Sequence, residues 1–351
     1  MSAMLGPNIR YPNPLREGSR VFLAAPSSGV DSSMWPRLDL VIDNLKARGL
    51  VVEEGMCLRR EHKNASAPTE ERALELMSAF LRDDVDAVLP PWGGSLAIEI
   101  LHFLDWKRLR GARPKWFAGF SDLSTLMVPL RLLAGWASAH GPNTMELVAH
   151  QTEPLAQKLF EVLFAPPGAT IEQRASSAWQ KEYKRWQEHP RATYDLTEPT
   201  RWWTLDGRSR VEAEGRLIGG CLDTLMHLAG TPYGDVPALH AASSDGCIVF
   251  LENSGLSPEV VSRALHQLRF AGWFRGIDAL LLGRSCAPDP EAECDLNFVE
   301  AVRHAVGSLE CPVLMDVDVG HRAPQMTLVQ GAVARLAWSD KEGGSLMQRL
   351  V

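Results

Sequence analysis

Three side chains able to carry out acyl transfer stand in the order serine, acid, histidine, each just beyond an apolar run. They are Ser121 in Gly119-Phe120-Ser121-Asp122, Glu252 in Phe250-Leu251-Glu252-Asn253-Ser254, and His321 in Val317-Asp318-Val319-Gly320-His321. A serine hydroxyl attacks an amide only when a base takes its proton, and an acid behind the base orients it. Ser121 reads in two ways, as a nucleophile lifted above a sharp strand-to-helix turn or as a helix cap. The G-x-S-x-G pattern is half present, since Leu123 stands where the second glycine would be. Glu252 is either a placed carboxylate or a loop acid, and His321 either approaches a ligand beside Gly320 or lies on the surface. In Trp92-Gly93-Gly94-Ser95 the glycine pair is a tight turn or a place where backbone N–H groups, with that of Asp122, face an oxyanion.

The elements that would hold these residues follow from periodicity. Arg20–Ala25, Val51–Glu54, Val85–Leu89 and Lys115–Gly119 read as strands. Trp35–Arg48, with Leu38, Val41, Ile42 and Leu45 on one face, reads as a helix. Thr69 is expected to cap a helix running to Arg82, and further helices are expected over Ser95–Phe103 and Asp122–Ala134. Repeated strand–helix units imply a doubly wound parallel sheet, with ligands beyond the carboxyl ends of its strands. Residues 166–210 hold Trp179, Trp186, Trp202 and Trp203, several prolines and no sustained period. Such a segment is read as a linker folded over something. Beyond it, Gly215–Gly220 leads into an expected helix to Ala229. Cys247–Leu251, Ala279–Gly283 and Pro312–Met315 read as strands, helices are expected from Ser257 and over Leu296–Val306, and Thr327–Trp338 alternates like β-structure. The expected domains are 1–165, carrying the serine, and 211–351, carrying acid and histidine.

Composition excludes other classes. A formal net charge of −7 with no basic block argues against a nucleic-acid polymer as partner. The apolar run Ala87–Ile98 is broken by Pro90-Pro91 and bounded by Asp86 and Glu99, too short for the roughly 18 residues of a membrane span. With no leader at the N-terminus, a cytoplasmic location is expected. The six cysteines are scattered without a CxxC, which suits buried thiols in a reducing compartment. HExxH, zinc-type Cys/His spacing, GxGxxG and GxxxxGK[ST] are all missing from the sequence. No metal or cofactor is therefore expected.

Taken together, AAPSSGV, PWGGS, GFSD, FLENS and DVGHRAPQMTL resemble, in order and spacing, the motifs of the LD-carboxypeptidase family of serine peptidases. GRLIGGCLDTLMHLAGTPY resembles its microcin-immunity members especially. The resemblance implies a Rossmann-like N-terminal domain and a C-terminal domain built around a small β-barrel. It implies Ser121 as nucleophile, His321 as base and Glu252 as orienting acid, with the oxyanion hole at Gly93, Gly94 and Asp122. It also implies a cytoplasmic homodimer without metal or cofactor. The turn departs from the muramyl-peptide pattern, because Pro91-Trp92 precedes the glycines. The spacing of Trp179 and Trp186 resembles the loop with which microcin-immunity members cover an aminoacyl-nucleotide, so Trp186 is expected to stack on a base or else to pack the linker. The substrate expected is a small peptide or a peptidyl- or aminoacyl-nucleotide. The alternatives are a muropeptide losing its terminal D-Ala, or a catalytically silent ligand-binding module.

Overall fold

A computed structural model describes residues 8–242, 244–292 and 294–351. In the N-terminal half, β1 (Arg20–Leu23), β2 (Val51–Glu54), β3 (Ala87–Val88), β4 (Trp116–Gly119) and β5 (Ala139–His140) form a parallel sheet in the order β5-β4-β3-β1-β2. Helices cover it, so its central strands are buried on both sides and read as unbroken apolar runs. The helix Trp35–Ala47 lays Leu38, Val41, Ile42 and Leu45 on this core, as its periodicity requires.

Next come β6 (Thr170–Arg174), a small hairpin of β7 (Ala178–Trp179) and β8 (Glu198–Pro199), and β9 (Trp203–Thr204). The C-terminal half adds β10 (Arg210–Cys221), β11 (Cys247–Glu252), β12 (Ala279–Gly283), β13 (Val313–Val317), β14 (Leu328–Val329), β15 (Val333–Ser339) and β16 (Gly343–Arg349). The second sheet runs β6-β16-β15-β10-β11-β12-β13-β9, parallel from β10 to β13 and antiparallel at both flanks. The fold is mixed α/β in two domains. The expected barrel is not what these ladders build: among the described residues none joins β6 to β9, and the sheet is open.

The domains are laced together. β14 leaves the C-terminal half to pair antiparallel with β5, completing the first sheet. One apolar core runs through both halves, joining Leu126, Met127 and Leu130 to Ile218, Leu222, Leu225 and Val249.

Several local expectations are corrected. The helix after Ser121 is three segments: a 3-10 turn Ser121–Leu123, an α-helix Ser124–Pro129, and a π-helical turn Leu130–Ala134. Pro129 has no N–H to continue the α-helical ladder, which fits the change of winding beside it. Ala97–Phe103 is a 3-10 helix rather than an α-helix. Thr69 is the first helical residue, not the cap; Pro68 precedes it, and the Thr69 hydroxyl donates to Glu99. Most of the expected helix up to Ala229 is absent. The stretch Gly215–Gly220 that leads into it continues β10 to Cys221, held between β11 and β15, and only Leu222–Leu225 is helical.

Candidate active site

Ser121 follows directly from the end of β4. Gly119 has φ of 138°, Phe120 is extended, and Ser121 itself has φ of 65°, a strained left-handed conformation for a non-glycine residue. A Cβ on Gly119 would come within 2.5 Å of Leu123 and 2.7 Å of the Asn143 side chain. The Asn143 carbonyl oxygen accepts from Phe120 N–H at 3.1 Å and fixes the turn from outside. The serine is thus held on a sharp bend rather than serving as a helix cap.

Glu252 is the last residue of β11, with a fully buried side chain. His321 follows Gly320, whose φ is 98°. A side chain on Gly320 would fall within 2.5 Å of the Glu252 carboxylate, so only glycine lets the two loops close this tightly. The Glu252 carboxylate lies 2.7 Å from His321 Nδ1, and His321 Nε2 lies 3.1 Å from Ser121 Oγ. Three side chains from three strand ends thereby form one hydrogen-bonded line. The edge of Phe120 steadies the imidazole, with ring centroids 4.7 Å apart.

Electrostatics favour charge separation in this line. Burial raises the cost of a charge on Glu252, but the His321 imidazole and its hydrogen bond outweigh that and hold the carboxyl below its ordinary value. Burial pulls His321 down, whereas the Glu252 carboxylate, helped by Asp223 and Glu146, holds it above its ordinary value.

The glycine turn also lies where expected. A Cβ on Gly93 would sit 2.7 Å from the Asp122 nitrogen and 2.9 Å from Ser121 Cβ. The turn therefore packs on the serine's own backbone. Asp122 does more than its backbone role suggests. Its buried carboxylate accepts from Ser27 Oγ at 2.5 Å, Ala97 N–H at 2.8 Å and Thr125 Oγ1 at 3.2 Å, tying three loops beneath Ser121.

Trp186 is not hydrogen-bonded into this line. It lies half-buried in the linker with the Arg37 guanidinium stacked 3.8 Å over its ring and Tyr183 edge-on. Arg37 also donates to the carbonyls of Met145, Pro190 and Ala192, pinning the linker to the first domain. At its other end Gln180 N–H donates to Ala323, two residues past His321.

Two supporting residues carry no sequence motif. Buried Glu146 accepts from Asn143 N–H and from the Tyr194 hydroxyl. His140, on β5, has no exposed surface and packs edge-on to Phe120 and Phe250; burial lowers it to about 4, so it stays neutral. Among the described residues, Cys221, Glu252 and His321 form one cluster whose ligand atoms lie within 4.8 Å of one another, as metal ligands could. Burial, reinforced by nearby acids, pushes the Cys221 thiol well up, and Glu252 and His321 are already bonded to each other.

An open α/β pair of domains, with a serine on a strained strand-end turn facing a histidine–carboxylate pair, is the architecture of a serine hydrolase. The model of the LD-carboxypeptidase N-terminal domain matches residues 21–141 and that of the C-terminal domain matches 214–336. The chain belongs to the LD-carboxypeptidase family of serine peptidases. The murein tetrapeptide carboxypeptidase of Pseudomonas aeruginosa is 28% identical over 328 residues, covering 91% of this chain and 95% of its own. The microcin C7 self-immunity protein MccF of Escherichia coli is 23% identical over 336 residues, 93% of either chain. The solved structure of MccF in complex with glutamyl sulfamoyl guanosine superposes with a TM-score of 0.80 at 22% identity, covering 96% of this chain and 98% of that one.

Proposed function

We propose that this protein is a serine amide hydrolase in which Ser121 attacks, His321 is the general base and Glu252 orients it. The observation that carries the proposal is the unbroken hydrogen-bonded line from Ser121 Oγ through His321 to Glu252. His321 Nε2 takes the hydroxyl proton as Oγ bonds to the amide carbon. The carbonyl electrons become an oxyanion, to which backbone N–H groups at Gly93, Gly94 and Asp122 donate. Its collapse breaks the C–N bond, and imidazolium gives its proton to the leaving amine. Water activated by the same imidazole then hydrolyses the ester. Throughout, Glu252 keeps the Nδ1–H tautomer and stabilises the imidazolium.

For substrate, the reading is the amide of a peptidyl- or aminoacyl-nucleotide. In its favour stand the fold likeness to MccF structures, one of them in complex with aspartyl sulfamoyl adenosine, and the linker that crosses from Arg37 to the His321 loop. A second reading, release of D-Ala from a muropeptide, is favoured by the higher identity to the P. aeruginosa enzyme. The test is product mass spectrometry on an aminoacyl sulfamoyl adenosine and a murein tetrapeptide, with Ser121→Ala beside the parent chain. Turnover of the nucleotide amide, abolished in Ser121→Ala, is the expected result. D-Ala release alone selects the second reading. Equal turnover by Ser121→Ala removes the nucleophile, and no turnover of either compound leaves a silent binding module.

A further inference from the structure

Cys221 stands outside the line from Ser121 to Glu252, but the fold sets it against that line. It ends β10, and its partner in the parallel ladder is Glu252, which ends β11. Residues in register on neighbouring strands project to the same face of a sheet. The loop after β13 adds His321, so that one donor atom from each of Cys221, Glu252 and His321 lies within 4.8 Å of the other two. Thiolate, carboxylate and imidazole are the ligand types of zinc, and bond lengths of about 2.0–2.3 Å put tetrahedral donors roughly 3.3–3.7 Å apart. Side-chain shifts of about 1 Å therefore convert the cluster into three ligands, with water in the fourth position.

Two further observations point to a cation. His321 Nδ1 takes one oxygen of Glu252, Oε2. The other, Oε1, is buried with no N–H or O–H donor on it among the described residues, and a buried carboxylate oxygen left without a partner is costly. The surrounding charge is also negative. Asp223 Oδ2 lies 3.5 Å from Cys221 Sγ, and among the described residues no lysine or arginine forms an ion pair with Glu252 or Asp223. Burial, and then the charges of Glu252 and Asp223, keep the thiol protonated. A dication reverses this, because a coordinating thiol gives up its proton. An ion also has a way in: a cavity of about 210 Å³ opens beside Ser121, with Ser121, Cys221 and Asp223 among its walls.

We propose that Cys221, Glu252 and His321 form an inhibitory binding site for Zn²⁺. On binding, the Cys221 S–H proton passes to solvent. Sulfur, one Glu252 oxygen and one His321 ring nitrogen each give an electron pair to the metal. Either nitrogen disables the base. Metal on Nε2 occupies the atom that takes the serine proton. Metal on Nδ1 moves the ring proton to Nε2, which then donates instead of accepting. The inhibition rests on the reading of His321 as general base; the binding does not.

The test uses the metals alone, with Co²⁺ as a coloured substitute for Zn²⁺. Titrating Co²⁺ into the unmodified chain should give thiolate-to-cobalt charge-transfer absorption and the ligand-field bands of a tetrahedral site, at one ion per chain. Added Zn²⁺ should bleach them. Ser121→Ala, whose hydroxyl is not a ligand, should keep the signal, and Cys221→Ala should lose it. Should Cys221→Ala fail to fold by circular dichroism, His321→Gln carries the same arm, because it too removes a ligand. Turnover of an accepted amide should fall with Zn²⁺ and return with a chelator. Half-inhibition of Cys221→Ala should need at least about tenfold more metal, the lower end of the loss when even an outer partner of a metal ligand is removed. No cobalt spectrum, a spectrum without sulfur charge transfer, or a signal that survives loss of the ligand overturns the proposal. So does bound Zn²⁺ that leaves turnover undiminished. A chain that binds metal as described but turns over no amide when metal-free counts against the hydrolase reading and not against the site.

Discussion

Replacing Glu252 with Gln keeps the shape of the side chain and removes its charge, leaving His321 Nδ1 opposite a neutral amide. Glu252 is fully buried, and its partner imidazole is 24% exposed. In the transition state His321 becomes an imidazolium, so Gln costs the reaction the pairing of a largely buried charge. Breaking such a pair by removing one partner costs about 3–5 kcal/mol. At 1.36 kcal/mol per decade this corresponds to roughly two to four decades in kcat/KM, and the exposure of His321 places it towards the lower end. The pH dependence carries a sign of its own. Glu252 holds the His321 pKa up, and only the neutral imidazole can accept the serine proton. In the parent, kcat/KM should therefore rise with pH along a limb lying above the ordinary histidine range. In Glu252→Gln that limb should move to lower pH while the plateau falls. The assay is kcat/KM between pH 5 and 9 on one amide substrate, with circular dichroism to confirm the fold. A variant with the parent's plateau and limb, or with a limb displaced upwards, would refute the assignment of Glu252 as the acid behind His321.

Two further outcomes are expected. Gly93→Ala places a methyl 2.7 Å from the Asp122 nitrogen and 2.9 Å from Ser121 Cβ. It should lower kcat by about 10²–10³, the loss seen when one oxyanion donor is removed; an unchanged kcat would separate this turn from the chemistry. Trp186→Ala should raise KM for a nucleotide amide roughly tenfold, because stacking on a base is worth about 1–3 kcal/mol, while leaving a murein tetrapeptide unaffected. Equal losses on both compounds would assign the tryptophan to linker packing against Arg37.

The strand ends were legible because β4 and β11 are buried on both faces and therefore announce themselves as apolar runs ending in polar residues. The same logic exposed Ser121, Glu252 and the glycine turn. What lies off those runs was not legible. Asn143, Glu146 and His140 act through neighbours far away in sequence, and nothing in their local spacing marks them. The carboxylate of Asp122 was hidden by the obvious role of its backbone. The far end of β10 carries no strand signal in the sequence, because its glycines weaken any periodic pattern and its conformation is set by the partners on either side. The pairing of Trp186 with Arg37 joins residues of the linker to the first helix, a contact that aromatic content alone could not assign.

The division of labour in the structure explains how one frame can serve different amides. Ser121 is fixed from below by the Asp122 carboxylate and from outside by Asn143, while Glu252 and His321 are locked together through Gly320. The shared core at Leu126, Met127, Ile218 and Leu222, with β14 crossing into the first sheet, joins the halves that carry these groups. The line from Ser121 through His321 to Glu252 lies within hydrogen-bonding distance in this arrangement of the two domains. What differs from one substrate to another must then meet the cavity wall beside Ser121, to which the turn after β10 contributes Asp223; the linker, held by Arg37 and Ala323, lies outside that lining. Changes in that wall can alter what the cavity accepts while the line from Ser121 to Glu252 stays as it is, because among the described residues the hydrogen bonds of Asp223 come from Cys221, Ser254 and Gly255 and not from Ser121.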